Sequence, residues 1–179
     1  MAPARGIGDI YVLVVEDNRP MRVLLRGLLG AVGVKNVIEA ETAEAGMQAL
    51  SGPVDLVLLD WQMQPVDGLA FARMVRWSPA SPRPYVPIVM LTAHTEIWRV
   101  AAARDAGVNG FVKKPISAQL LLDRISSALT DTRMFVRCQN FIGPDRRRMF
   151  APAYGGPFRR ESDHTGGCTF DLDDLPLSA

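Results

Sequence analysis

The chain has 179 residues, 48% of them hydrophobic and 22% charged, with 20 basic against 19 acidic side chains and a formal net charge of +1. This composition supports one packed domain of ordinary size plus an additional segment, and its near-neutral balance excludes any argument from bulk charge to a partner. No apolar run approaches the ~18 residues needed to cross a bilayer, so no membrane partner is expected. The first residues carry no stretch of secretory type, and Cys138 and Cys168 form no CxxC and sit at no metal-ligand spacing. They could pair, but in a chain of this kind they read as reduced thiols, with no zinc site and a cytoplasmic location.

Residues 10–130 alternate short apolar runs with amphipathic stretches, five times over. Ile10 to Val15 is a first strand, followed by a turn at Asp17-Asn18 and by Pro20, which a first helical turn tolerates. Met21, Leu24, Leu25, Leu28, Leu29 and Val32 recur at helical spacing and stop at Gly33. Val37-Ile38 is a second strand, and Thr42 caps a helix through Leu50 that closes at Gly52-Pro53. Leu56 to Leu59 is the third strand and Gly68 to Arg76 the third helix. Ser78 to Pro87, rich in proline, is a long loop. Ile88 to Leu91, Thr95 to Ala106 and Phe111-Val112 give the fourth strand, fourth helix and fifth strand. Ser117 caps a last helix that buries Leu120, Leu121, Ile125 and Leu129. Strands alternating with helices predict an α/β fold in which a doubly wound parallel sheet is covered on both faces.

Residues 8–130 therefore read as one domain and 131–179 as an extension, Arg/Gly/Pro-rich and then acidic, expected to be largely irregular. Residues 131–160 carry seven Arg against two Asp, and residues 161–179 carry five acids and no Lys or Arg. Such blocks are typical of interaction tails. Gly143-Pro144-Asp145-Arg146-Arg147-Arg148 is echoed by Gly156-Pro157-Phe158-Arg159-Arg160, a repeat too short for a solenoid. The acidic end, with Asp171, Asp173 and Asp174, is of a kind that orders on meeting a partner and could fold back on the Arg clusters.

The chemistry gathers where the strands end. Asp60 closes the run Leu56-Val57-Leu58-Leu59, and Glu16-Asp17 close Val12-Leu13-Val14-Val15. In a doubly wound sheet the strand ends near the switch in strand order form the ligand crevice. Carboxylates crowded there repel one another and call for a cation, and a hard divalent ion such as Mg²⁺ suits one or two carboxylates and water. Thr92 and Lys114, the latter before Pro115, complete a set of residues that each follow a strand-like run.

Val14-Val15-Glu16-Asp17-Asn18, Asp60 through Gly68, Leu91-Thr92-Ala93, Ala106-Gly107 and Gly110-Phe111-Val112-Lys113-Lys114-Pro115 together resemble the receiver domain of bacterial two-component response regulators. The resemblance covers residues 8–130 and implies a flavodoxin-like five-stranded sheet in the order 2-1-3-4-5. It implies that Asp60 accepts a phosphoryl group, that Glu16, Asp17, Asp60 and the Gln62 carbonyl bind Mg²⁺, and that Thr92 and Lys114 contact the phosphoryl oxygens. Phe111 resembles the family's aromatic switch. Lys113 comes one position early and lacks the following proline. Glu16 stands where Asp is commoner, and Gln64-Pro65 inverts the usual order.

The function so implied is that of a response regulator, not an enzyme, fed by a histidine kinase or histidine phosphotransfer protein and acting on a downstream protein. An alternative is a nucleic-acid- or nucleotide-binding regulator working through Arg146, Arg147, Arg148, Arg159 and Arg160, although nucleic acid is not the expected partner. Arg160-Glu161-Ser162-Asp163 has a spacing found at some cyclic-dinucleotide sites. Plainer readings stand beside these. Glu16 and Asp17 could complement a helix dipole, Phe111 could be ordinary core, the Arg clusters a solvated tail, and His94 and His164 surface residues. Trp98 and Met63 could line a partner surface.

Overall fold

The computed structural model describes residues 6–93, 97–138, 141–145 and 169–170, with 97–100, 138 and 169–170 given through their backbone. A 3-10 turn at Ile7–Asp9 leads into β1 (Tyr11–Val15), α1 (Arg19–Ala31), β2 (Asn36–Ala40), α2 (Ala43–Ala49), β3 (Leu56–Asp60) and α3 (Gly68–Trp77). There follow β4 (Ile88–Thr92), α4 (Ile97–Asp105), β5 (Gly110–Lys113) and α5 (Ala118–Leu129). β1 to β5 form a parallel sheet in the order β2-β1-β3-β4-β5. This is the order and fold class expected from the sequence.

Alternation along the strands divides the core, because successive side chains point to opposite faces. Leu13, Val15, Val57, Leu59, Ile88 and Met90 pack with Leu50, Phe71, Val75 and Ala103, from the α2, α3 and α4 side. Val12, Val14, Leu56, Leu58, Val89 and Leu91 pack with Leu25, Leu29, Leu121 and Ile125 of α1 and α5. Full burial of each such side chain stabilises by about 1.5–3 kcal/mol. Side-chain caps fix where the helices begin. Asn18 accepts from Met21 N at 3.0 Å, Thr42 from Ala45 N at 3.2 Å, Asp67 from Ala70 N at 2.7 Å and Ser117 from Leu120 N at 3.2 Å. The Ser78–Pro87 loop is tethered where Arg83 Nε donates to the carbonyls of Leu50 and Gly52, at 3.2 and 3.1 Å.

The extension contains more regular structure than its sequence suggests. β6 (Phe135–Cys138) and β7 (Phe141–Pro144) pair antiparallel, and the other edge of β6 meets β8 (Thr169–Phe170). Strands of four residues show too little alternation to be read, and Val136 and Ile142 are buried only because a surface lies against them.

That surface is the pole of the sheet at which β4 and β5 begin. Arg76, near the end of α3, is only 2% exposed. Its Nε and one terminal nitrogen donate to Gly107 O at 3.1 and 2.9 Å, and that nitrogen also reaches Asn109 Oδ1 at 3.2 Å. The other terminal nitrogen donates to Pro84 O at 2.6 Å, and the guanidinium lies 5.2 Å from the centre of the Phe135 ring. Phe135 meets Tyr85 edge-on at 5.3 Å. Burial pushes the guanidinium down to about 9, which leaves it a cation at neutral pH. Gly107, with φ +81°, admits β7: a Cβ there would stand 2.2 Å from Ile142 O, and one on Gly143 would stand 2.7 Å from the Gly107 Cα. Asp131 and Arg133 join the seam, with their ion pair at 2.6 Å and Arg133 donating to Asn109 O at 3.2 Å.

Candidate functional site

The strand order reverses between β1 and β3, which lie side by side with Val15 opposite Leu59. That register brings the residues following β1 and the last residue of β3 to one crevice. Carboxylate oxygens of Glu16, Asp17 and Asp60 all lie within 4.8 Å of one another. Glu16 is 1% and Asp60 4% exposed, whereas Asp17 is open to solvent. Asn18, Pro20, Met21, Leu24, Gln62 and Lys114 line the rest of the cleft.

Each acid is oriented by the backbone. Asp60 accepts from Gln62 N at 3.1 Å, Asp17 from Gln64 N at 3.0 Å and Glu16 from Asn18 N at 3.2 Å. Lys114 Nζ reaches Asp60 at 2.6 Å and Glu16 at 3.4 Å. Its own amide donates to Thr92 O at 2.8 Å, which ties the loop after β5 to the end of β4. Asp60 is registered with Leu91, and Thr92 with Lys113. The peptide bonds before Pro65 and Pro115 are cis.

Charge is only partly balanced here. Burial, and then the charge of Asp60, push the Glu16 carboxyl above the usual carboxylate value, while Lys114 pulls the other way. For Lys114 burial lowers the ammonium's pKa, but the hydrogen bond and charge of Asp60, with those of Glu16, outweigh it and raise the group. Three carboxylates facing one ammonium leave an anionic crevice, open on one side and lined by hard oxygen ligands. That donor set fits Mg²⁺.

Glu16, Asp17, Asp60, Gln62 and Lys114 thus come together as the sequence suggested. Thr92 is buried at the end of the neighbouring strand. Phe111 is half-buried against the core on the α2, α3 and α4 side and does not line the crevice. Met63 is 4% exposed and belongs to that same core, so it lines no partner surface. His94, Arg146, Arg147, Arg148, Arg159, Arg160, His164, Cys168, Asp171, Asp173 and Asp174 lie outside the described residues, as does the side chain of Trp98.

Two contributors carry no clear sequence signal. Arg22, one turn into α1, donates to the carbonyls of Glu16 and Asp17 at 2.8 and 3.1 Å. Its neighbours Glu39 and Glu41 hold the guanidinium in place. Gly68 lets α3 start against the end of β3, since a Cβ there would stand 2.2 Å from Asp60 O. Its place at the end of the Asp60-to-Gly68 motif and at the first helical position hints at this, without saying what the glycine must approach.

A parallel sheet with acids at its switch point and a lysine bonded to the central one defines the class of phosphoryl-accepting receivers. The sequence pattern of the response regulator receiver domain matches residues 12–126. The chain is 35% identical over 116 residues to the chemotaxis protein CheY of Pseudomonas aeruginosa, an overlap of 64% of this chain and 91% of that one. It superposes on the Vibrio cholerae chemotaxis protein CheY4 with a TM-score of 0.61 and 26% identity, over 67% of this chain and 98% of the other. The receiver domain of a sensor histidine kinase from P. aeruginosa PAO1, solved with magnesium in its active-site cleft, shares the fold at a TM-score of 0.59 and 23% identity, over 67% and 97%. This chain belongs to the response regulator receiver family, whose members serve two-component phosphorelay signalling.

Proposed function

We propose that Asp60 is the phosphoryl acceptor, in a site where Glu16, Asp17, Asp60 and the Gln62 carbonyl hold Mg²⁺. The observation that carries this reading is the Lys114–Asp60 contact at 2.6 Å within a cluster of three carboxylates at the switch point. When bound, the ion supplies positive charge to the oxygens of the group in flight. Phosphoryl transfer needs such neutralisation and alignment more than covalent help.

An Asp60 oxygen attacks phosphorus in line while the bond to the donor nitrogen of a phosphohistidine breaks, and the product is an acyl phosphate. The Gln62 amide holds one Asp60 oxygen, and the Lys114 ammonium stands ready to pair with the incoming oxygens. The new group adds about two negative charges and three acceptors at one point. Thr92, held beside Lys114 through its carbonyl, donates its hydroxyl to one of those oxygens. Phe111 responds on the neighbouring strand, which alters the surface of α4, β5 and α5.

The donor is a histidine kinase or histidine phosphotransfer protein, and the site works as a switch, not as a turnover enzyme. Supporting this, Val23 and Leu24 of α1 are 62% and 50% exposed, and Leu24 also lines the cleft. They form an apolar approach of the kind a partner helix covers. No helix among the described residues is long and apolar enough to cross a membrane, and we place the relay's action in the cytoplasm. The output is a protein–protein contact, and residues 8–130 are the unit that makes the switch.

Intact mass after incubation with acetyl phosphate, with and without Mg²⁺, tests the reading. One phosphoryl group is expected on the wild type only when Mg²⁺ is present, and none on Asp60→Ala. Uptake by Asp60→Ala equal to the wild type would overturn the assignment.

A further inference from the structure

Consecutive residues of a β-strand send their side chains to opposite faces. Glu16 and Asp17 follow β1 directly, yet carboxylate oxygens of both lie within 4.8 Å of each other and of Asp60. The chain must therefore turn as it leaves β1, and it bends at Asp17. One terminal nitrogen of Arg22, on α1, takes both carbonyls of this bend, Glu16 O at 2.8 Å and Asp17 O at 3.1 Å. Successive carbonyls of an extended chain point apart, so a single donor serves both only while the bend is kept. The Glu16 amide is in turn bonded to Ala40 O, at the end of β2, at 3.1 Å.

The guanidinium is itself held. The Arg22 side chain is only 11% exposed, Glu39 of β2 stands 3.7 Å from its Nε, and Glu41, just beyond the strand, stands 3.3 Å from its second terminal nitrogen. A cation this near the amino end of a helix gains nothing from the helix dipole, so α1 does not account for it. We propose that Arg22 is a positioning residue for the acid crevice. It clamps the bend after β1 so that Glu16 and Asp17 both face Asp60, while Glu39 and Glu41 aim the fork and offset its charge. The inference rests on the reading of this crevice as a Mg²⁺ site.

The clamp and the charge of Arg22 act on a divalent ion with opposite signs. A nearby positive charge repels the ion, so an arginine acting only through charge would weaken binding, and its loss would tighten it. A clamp does the reverse, since freeing the bend lets the two acids part and raises the ordering cost of binding. Asp17 is the more affected of the two, because it is open to solvent, whereas Glu16 is buried against Lys114. Groups that orient metal-binding side chains without touching the ion contribute roughly 10- to 100-fold to affinity. Arg26, one turn further along α1, supplies a control. It pairs with the same Glu39 at 3.1 Å, and its side chain is 68% exposed and directed to that glutamate and not to the bend.

The test measures Mg²⁺ binding to the full chain by titration calorimetry, phosphoryl uptake from acetyl phosphate over a range of Mg²⁺ concentrations, and urea denaturation without the ion. Arg22→Gln, Arg22→Lys and Arg26→Gln run beside the wild type. The expected result for Arg22→Gln is binding about tenfold weaker per folded molecule, with uptake falling in step at low Mg²⁺ and recovering at saturating Mg²⁺. Arg22→Lys keeps the charge and lacks the fork, so it should also bind several-fold more weakly, and it carries the test if Arg22→Gln folds poorly. Arg26→Gln should bind as the wild type does. Unchanged or tighter binding in Arg22→Gln would overturn the inference, whatever the loss of stability. Full recovery in Arg22→Lys, or an equal loss in Arg26→Gln, would overturn it too. Failure of the wild type itself to bind Mg²⁺ is a different result, and would bring down the metal reading together with the inference that stands on it.

Discussion

The two poles of the sheet each hold buried charge, and they treat it in opposite ways. At the carboxyl end, Glu16, Asp17 and Asp60 face a single ammonium, and the crevice stays open on one side. At the amino end, the Arg76 guanidinium is closed off, with three carbonyl or amide oxygens and an aromatic face around it and no carboxylate among its hydrogen-bond partners within the described residues. Burying an ion costs several kcal/mol unless hydrogen bonds replace its water. At the Arg76 pole they do, and the result is a joint. The acid pole leaves the repulsion in place, so a metal ion or a transferred group changes its energy most. A surplus of like charge with access to solvent sets the acid pole apart, and a buried cation met by neutral oxygen acceptors sets apart the joint.

The sharpest way to break this contrast is to remove Arg76. Arg76→Ala takes a donor from the Gly107 and Pro84 carbonyls, leaves Asn109 Oδ1 with the Ile88 amide at 3.0 Å, and opens a cavity beneath Phe135. A loss of about 2–5 kcal/mol is expected in urea denaturation, from the cavity left by a large-to-small change and from buried acceptors that lose a donor. Phosphoryl uptake per folded molecule should be unchanged. A parallel loss of uptake would show that the two poles are coupled.

Two glycine substitutions separate the poles next. Gly68→Ala drives a methyl group against Asp60 O, and Gly107→Ala drives one against Ile142 O. Each should cost about 1–3 kcal/mol as an overpacking change. Only Gly68→Ala should lower phosphoryl uptake, and only Gly107→Ala should raise hydrogen exchange in β6 and β7. If both altered the same set of properties, the division drawn here would fail.

Lys114→Ala probes the acid pole by subtraction. Removing a cation at 2.6 Å from Asp60 takes away repulsion toward a second cation, on the order of 1 kcal/mol for charges screened at the surface. Mg²⁺ titrated against the fluorescence of the neighbouring Trp61 should therefore bind several-fold more tightly, while phosphoryl uptake falls. Weaker Mg²⁺ binding would mean that Lys114 chiefly shapes the site.

The smallest effect belongs to Asp131. Burial acts to raise its pKa, but the hydrogen bonds and charge of Arg133 prevail and hold it below the ordinary value of 3.8. A depressed carboxylate contributes stability above its unfolded pKa and loses it as pH falls through the folded value. Arg133 is partly exposed, so the contribution is screened to about 0.5 kcal/mol or less. Melting curves of wild type and Asp131→Asn should differ slightly at pH 6 and converge only as pH falls through the folded value, which lies below 3.8. A difference that persisted or grew in acid would remove the ion pair from the account of the joint.

The acid pole could be read in the sequence because its logic is local and repetitive. Asp60, Glu16, Thr92 and Lys114 each follow an apolar run, and parallel strands deliver their ends to one edge whatever packs around them. Arg76 could not be read in this way. Near the end of α3 it looks like a solvated residue suited to the helix dipole. Apart from Pro84, its partners lie far along the chain, at Gly107, Asn109 and Phe135. The contribution of Arg22 was hidden for a similar reason, since it works through two carbonyls and not through its charge pattern.

The sequence by itself determined the alternating elements, the two-faced core and the residues at the strand ends, because hydrophobic period and strand-end chemistry are properties of neighbouring residues. Tertiary structure alone decided that β6 and β7 pair antiparallel on the receiver, that Arg76 is buried beneath them, and that Val136 and Arg137 face Phe170 and Thr169. Those strands are too short to declare themselves, and their apolar residues gain a buried face only from a surface supplied by distant parts of the chain.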